Sequence, residues 1–201
     1  MYIKKTPKIF EYPKPSIEIF DNFLEPHIFE QISKPFIDPF ADNVPWSKGP
    51  VIYQKGVEEK YNCQLSHLLY HELEPKSKWA MITMHHFLKK LEIQALLKAK
   101  VNFNPCIGKI LEHTLHIDLP FPHWTGIFYM NTNDGYTLCE DGTKINSVEN
   151  RLAILPWKTY HTGTSCSDMH GRVTLNFNWM VQNELSTSYQ YERVPLENCV
   201  K

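Results

Sequence analysis

Apolar and polar positions alternate in short runs through most of this chain, with helical spacing in only two stretches. Ile17-Glu18-Ile19-Phe20 alternates and then meets Asp21-Asn22, so it reads as a strand ending in a turn. Glu25-Pro26 followed by Ile28, Phe29 and Ile32 reads as a short amphipathic helix with proline in its first turn. Residues 35–50 carry four prolines and read as a loop, and the charged stretch 55–60 as exposed. The strongest helical pattern covers 77–97. Ser77 can cap it, and Trp79, Ile82, Met84, Phe87, Leu88, Leu91, Leu96 and Leu97 include pairs at helical spacing. Such a helix has an apolar stripe that must cover something, most simply a sheet face.

From Ala99 onward the period changes. Strand-like runs occupy 100–103, 109–116, 125–130, 151–155 and 172–181. Asn104-Pro105, Leu119-Pro120, Asn133-Asp134-Gly135, Asp141-Gly142 and His161-Thr162-Gly163 punctuate them. Many short strands separated by turn residues imply a mainly β fold, a jelly roll with helices packed outside. The expected organisation is one domain over 1–201. Strands, loops and supporting helices occupy 1–98, a jelly-roll core 99–182, and a tail 183–201.

Composition narrows the function classes. A net charge of −1 gives no basic face for wrapping nucleic acid. No apolar run approaches the roughly 18 residues of a membrane span. The basic stretch 1–8 precedes proline and charged residues rather than the apolar core of a signal peptide. Cys63, Cys106, Cys139, Cys166 and Cys199 are scattered, without CxxC spacing, as expected of reduced thiols. These features together suggest a cytoplasmic protein.

The chemistry concentrates in His116-Ile117-Asp118, then His161, then Arg172. Two imidazoles and a carboxylate form the ligand set of a non-haem Fe(II) site with open coordination positions. Read as a strand, 109–116 would extend so that His116 and Asp118, two residues apart, project to one face. His161 follows a strand end, Leu155-Pro156-Trp157, and precedes a glycine turn. Other histidines compete. His113 should face the opposite way, His123 sits in a proline-rich turn where it can line the entrance, and His170 follows a polar turn. His85 and His86 are adjacent on a helix, about 100° apart, and cannot chelate one ion together. In 172–178, Arg172, Thr174 and Asn176 alternate with Val173, Leu175 and Phe177, so one face is polar. A guanidinium on a buried face needs an anion, and a dicarboxylate supplies one through two parallel hydrogen bonds. Thr125, Ile127 and Tyr129 share a face of their strand, and the phenol can donate to the same carboxylate.

The stretches HTLHID, GIFYMNTNDGYTLCEDG, ENRLAILPWKTYHTGT and GRVTLNFNW together resemble the Fe(II)- and 2-oxoglutarate-dependent dioxygenases. The nearer likeness is to the prolyl-hydroxylase-like branch and its short phage and marine bacterial members. The resemblance covers about 98–181, and more weakly IEIFDNFL at 17–24. It implies that His116, Asp118 and His161 hold iron and that Arg172 and Tyr129 bind the 5-carboxylate of 2-oxoglutarate. Thr125, Ile127 and Asn176 then lie at the same pocket, and Asn102 or Asn104 borders it. Asn150-Arg151 matches a motif read as structural. Two departures stand out. The first core strand lacks the tyrosine of some prolyl hydroxylases, and the gap from His161 to Arg172 is slightly long.

The implied activity is hydroxylation of a C–H bond, with 2-oxoglutarate and O2 giving succinate and CO2 and with ascorbate as a candidate reductant. A prolyl or other peptidyl side chain is the first substrate class, with small molecules, nucleobases and sugars open. Residues 35–61 and 119–124 are expected to rim the mouth. Pro120, Phe121, Pro122, His123 and Trp124 form one candidate wall, and Trp46 is read as packed. Three rival readings stand beside it. One is a non-catalytic jelly-roll binding module with a vestigial metal site. Another is a cupin-type enzyme that does not use 2-oxoglutarate. The third, a halogenase, is disfavoured by Asp118.

Overall fold

The structure, a computed structural model, describes residues 16–38, 44–49 and 63–180. The expectations for 1–8, 55–60, the tail 183–201 and Cys199 lie outside those residues. The strands are β1 (Glu18–Phe20), β2 (Ser47–Gly49), β3 (Gln64–His71), β4 (Glu74–Pro75), β5 (Ala95–Pro105), β6 (Trp124–Tyr129), β7 (Tyr136–Cys139), β8 (Lys144–Asn146), β9 (Arg151–Leu155), β10 (His161–Gly163) and β11 (Gly171–Met180). The helices are α1 (Pro26–Ile37) and α2 (Ala80–Lys90). The larger sheet runs β1-β9-β6-β11-β5-β3-β2, with β4 beside β3, and the smaller runs β10-β7-β8. Every pairing is antiparallel. The result is the jelly roll expected from the alternating runs.

The helices cover the outer face of the larger sheet. Ala80, Thr83, Met84 and Phe87 are the buried residues of α2, spaced one helical turn apart on one stripe. Ala80, Met84 and Phe87 join Ile32 and Phe36 of α1 against Phe128, Val173, Leu175 and Phe177 of the sheet. Phe87 packs edge-on to Phe128, with ring centroids 5.0 Å apart. Gly126 faces Phe177 across β6 and β11. A Cβ there would lie 2.4 Å from the phenyl ring, so only glycine lets the ring lie flat on the strand.

Four local expectations need correction. First, α2 ends at Lys90 rather than running to 97. Leu96 and Leu97 belong to β5, whose central place between β11 and β3 offers a ladder of backbone hydrogen bonds on both edges. Apolar spacing alone could not separate that strand start from a helix. Second, Ser77 does not cap through the N-cap position; its Oγ accepts from Trp79 N at 3.1 Å. Third, α1 continues through Pro35 to Ile37, because Phe36 buries itself against Trp46 and Trp79. That packing outweighs the hydrogen bond the proline lacks. Fourth, 109–116 forms no regular strand, only isolated bridges of Glu112 with Thr164 and His116 with His161. β3 carries no clean alternation and was not anticipated.

The NR pair ties the first strand down. Asn150 sits at φ 59°, accepts Leu24 N at 2.9 Å and donates to Leu24 O at 2.7 Å. Arg151 grips Asp21 through Nε and Nη2, at 2.6 and 3.0 Å.

Candidate metal centre and carboxylate pocket

The bridge between the 112–116 segment and β10 brings two distant residues together. His116 N donates to His161 O and His161 N to His116 O, both at 3.0 Å, and the two rings lie 5.0 Å apart. The chain then bends at Asp118, whose Oδ1 lies 3.6 Å from His116 Nε2 and 4.0 Å from His161 Nε2. Ligand atoms of all three residues lie within 4.8 Å of one another.

The protons around these groups are already arranged. Each imidazole places Nδ1 against a carbonyl, His116 on Thr114 O and His161 on Thr159 O, both at 3.1 Å. Those bonds require Nδ1–H and leave each Nε2 with its lone pair. His161 Nε2 is buried without a hydrogen-bond partner. Asp118 Oδ2 accepts from Asn178 Nδ2 at 2.9 Å and Thr125 Oγ1 at 3.3 Å, so Oδ1 is the oxygen left facing the rings. Burial pushes the Asp118 carboxyl up, but the His116 ring, the neighbouring His161 and the Asn178 amide together hold it well below the ordinary range. Pairing with Asp118 raises His116 against the opposing effect of burial, whereas burial lowers His161. An orphaned buried nitrogen, two Nδ1-anchored imidazoles and an ionised carboxylate fit a divalent metal such as Fe(II).

The same cavity reaches Arg172. The guanidinium is 3% exposed, and no carboxylate among the described residues pairs with it. Nε donates to Ser147 Oγ at 2.8 Å and Nη2 to Thr137 Oγ1 at 2.9 Å. Gly163 and Gly135 make room for it. A Cβ on Gly163 would sit 3.1 Å from Nη1, and one on Gly135 2.8 Å from Cδ. Burial lowers the Arg172 pKa, yet a guanidinium keeps its proton, so an uncompensated cation stands at this end of the cavity.

Tyr129 stands behind the cavity wall. It is fully buried, its ring lies 5.4 Å from the guanidinium carbon, and its hydroxyl donates to Thr137 Oγ1 at 2.8 Å. Thr137 therefore receives two hydrogen bonds on its two lone pairs. Its own O–H remains to donate, and its side chain lines the cavity. Ile127 and Asn176 also line the cavity, as do Asn102, Asn104 and Thr174. Thr125 is turned to Asp118 instead.

His113 lines the cavity too, against the expectation that it faces away. The expectation rested on a regular strand that does not form. His113 Nε2 is buried and unpartnered, and burial together with Arg172 pushes the ring down to about 4. His123 is buried with Nδ1 on Phe121 O, His170 is exposed, and neither lines the cavity. Thr137, His113 and Lys100 were missed as cavity residues. A threonine two residues after Gly135 and a lysine in a strand carry no chemical signature on their own.

No family model matches the chain, and no curated protein does. Solved structures do. A prolyl hydroxylase from Trichoplax adhaerens, solved with a hypoxia-inducible-factor peptide fragment, aligns with TM-score 0.61 at 17% identity over 87% of each chain. The fold is that of the 2-oxoglutarate–Fe(II) oxygenase structures. A Pseudomonas putida prolyl-4-hydroxylase aligns with TM-score 0.52 at 10% identity, over 82% of this chain and 92% of its own. The non-heme alpha-ketoglutarate-dependent epimerase SnoN of nogalamycin biosynthesis aligns with TM-score 0.58 at 11% identity, over 83% and 78%. Among the described residues no helix is long and apolar enough to cross a membrane.

Proposed function

We propose that this protein is an Fe(II)- and 2-oxoglutarate-dependent oxygenase that hydroxylates a C–H bond of a peptide or small-molecule substrate. One observation carries the reading. A single cavity holds both a His-Asp-His ligand set with its free nitrogens turned together and a buried guanidinium lacking a carboxylate. The oxygenase likeness of the fold and the peptide held by the Trichoplax hydroxylase support it.

His116 Nε2, Asp118 Oδ1 and His161 Nε2 hold the metal. Iron with 2-oxoglutarate and O2 supplies the oxidising power that converts R–H to R–OH, with succinate and CO2 as co-products. Asn178 and Thr125 fix the Asp118 carboxylate, and the Thr114 and Thr159 carbonyls fix the imidazole tautomers. Arg172 binds the far carboxylate of the co-substrate, assisted by the Thr137 hydroxyl. Tyr129 acts through Thr137, because its hydroxyl donates there. His113 offers a neutral imidazole nitrogen to the same chamber, and Ile127, Thr174 and Asn176 shape its walls.

The test is reconstitution with Fe(II) and 2-oxoglutarate, followed by succinate formation under air. Candidate peptides and metabolites are screened in parallel by mass spectrometry for gain of one oxygen atom. Succinate formation that needs both iron and 2-oxoglutarate is expected. Binding of both without any succinate would favour the non-catalytic binding module. Activity that ignores 2-oxoglutarate would favour the cupin-type reading.

A further inference from the structure

Lys100 sits on β5, half-buried, and lines the cavity. It pairs in register with Asn176 of β11, whereas Arg172 pairs with Asn104 four residues further along the same strand. Asn178, the residue that holds Asp118, lies two beyond Asn176 toward the metal. Lys100 therefore stands near the metal end of the chamber and Arg172 at the other. Its ammonium makes no hydrogen bond and no ion pair with any described residue. Burial lowers the Lys100 pKa, and the charge of Asp118 opposes that; the Asp118 carboxylate is itself already committed to the two imidazoles, Asn178 and Thr125.

Charge accounting gives this lysine a purpose. Arg172, Lys100 and a divalent metal bring positive charge; Asp118 and a diacid bring negative charge. With the imidazoles neutral, one positive charge is left over, in a chamber where uncompensated charge is unfavourable. Gln64, Asn102 and Asn104 extend the same wall, and Ile127 is the one aliphatic side chain lining the cavity among the described residues. Asn102 Oδ1 is buried and unpartnered, so the wall also offers an acceptor. The ammonium suits an anion, the Asn102 oxygen suits a donor on the same ligand, and Ile127 is the one aliphatic wall among the described residues, too little to hold a bare ring.

We propose that Lys100 selects a substrate carrying a carboxylate and seats that carboxylate beside the metal, at the opposite end of the chamber from Arg172. The proposal rests on the oxygenase reading above.

The test uses the full chain loaded with Mn(II) and saturating 2-oxoglutarate under nitrogen. Propionate and propionamide, alike in shape and differing in charge, are the probes. Paramagnetic broadening of their methyl protons reports residence near the metal. Propionate should be broadened about tenfold more than propionamide, the discrimination expected of one charge-assisted hydrogen bond. Lys100→Gln should bring propionate down to the level of propionamide, and Lys100→Arg should keep the preference. Affinity for 2-oxoglutarate, measured by calorimetry on the same Mn(II)-loaded proteins before the diacid is added, should change by less than about threefold in either variant, below the value of one such bond. Equal broadening of the two probes in the parent protein would overturn the proposal. So would a preference that survives Lys100→Gln, which would mean direct coordination to the metal. A large loss of 2-oxoglutarate affinity in Lys100→Gln would place the lysine on the co-substrate and overturn it too. Failure of the parent protein to bind Mn(II) or 2-oxoglutarate is a separate result, and it would sink the oxygenase reading itself.

Discussion

Alternate residues of β11 face two unlike surroundings. Val173, Leu175, Phe177 and Trp179 enter the helix-backed core. Arg172, Thr174 and Asn178 are nearly as deeply buried, at 3%, 2% and 4% exposure, yet every one is polar. The first set needs only close packing, and the aromatic neighbours of Phe177 supply it. The second set needs partners. Asn178 finds Asp118 and Thr125, but among the described residues Arg172 finds two hydroxyls and no anion. One strand thus separates side chains that pack the core from buried polar ones that depend on partners, and on the reading proposed above the unmet need of Arg172 is for the diacid.

The contrast can be broken first on the apolar side. Phe177→Ala should lower stability by about 4 kcal/mol, through lost burial and the cavity left against Phe87 and Gly126. Urea unfolding measures this. A loss below about 1 kcal/mol would mean that the core collapses around the gap.

On the polar side, Arg172→Met should weaken 2-oxoglutarate binding by about 3 kcal/mol while leaving stability unchanged or slightly raised, because an unpaired buried charge disappears. Calorimetry and urea unfolding on the same variant separate the two effects. Destabilisation comparable to that of Phe177→Ala would show that the two faces are not functionally distinct.

A subtler probe is acid. The His113 ring is held at about 4 against an ordinary 6.5. Between those values the unfolded chain carries a proton that the folded chain refuses, so stability rises with pH across this window. It is complete above 6.5 and lost progressively down to about 4, by at most roughly 3 kcal/mol. Metal-free protein should show that slope in urea midpoints, and His113→Gln should flatten it. Parallel slopes would remove His113 from the buried polar set.

The smallest effect sharpens the hydroxyl relay. Thr137→Val should weaken 2-oxoglutarate binding by about 1 kcal/mol, as one neutral donor is lost. Tyr129→Phe should do less, since its phenol reaches the ligand only through Thr137. A larger effect for Tyr129→Phe would mean that the phenol turns into the cavity when the diacid binds.

The period-2 runs and their turn residues were enough to read a jelly roll, because alternating burial leaves a direct trace in residue order. That His116, Asp118, His161 and Arg172 line one cavity could be anticipated, because such groups carry unusual chemistry, but His161-Thr162-Gly163, read as a turn, is strand β10. The limit of α2 was not legible, since Leu96 and Leu97 suit a helix until β3 and β11 offer two ladders. The orientation of His113 was not legible either, because it follows from an irregular segment held by two isolated bridges.

Residue order by itself determined that short alternating runs dominate the second half of the chain, and which imidazole, carboxylate and guanidinium side chains are on offer. Only the tertiary structure decided that Tyr129 is spent on Thr137, that Thr125 serves Asp118, and that His113 and Lys100 share the chamber. The physical reason is that hydrogen-bond partners and cavity walls are assembled from strands far apart in sequence. A single segment's pattern shows which face a side chain takes, not what stands opposite it.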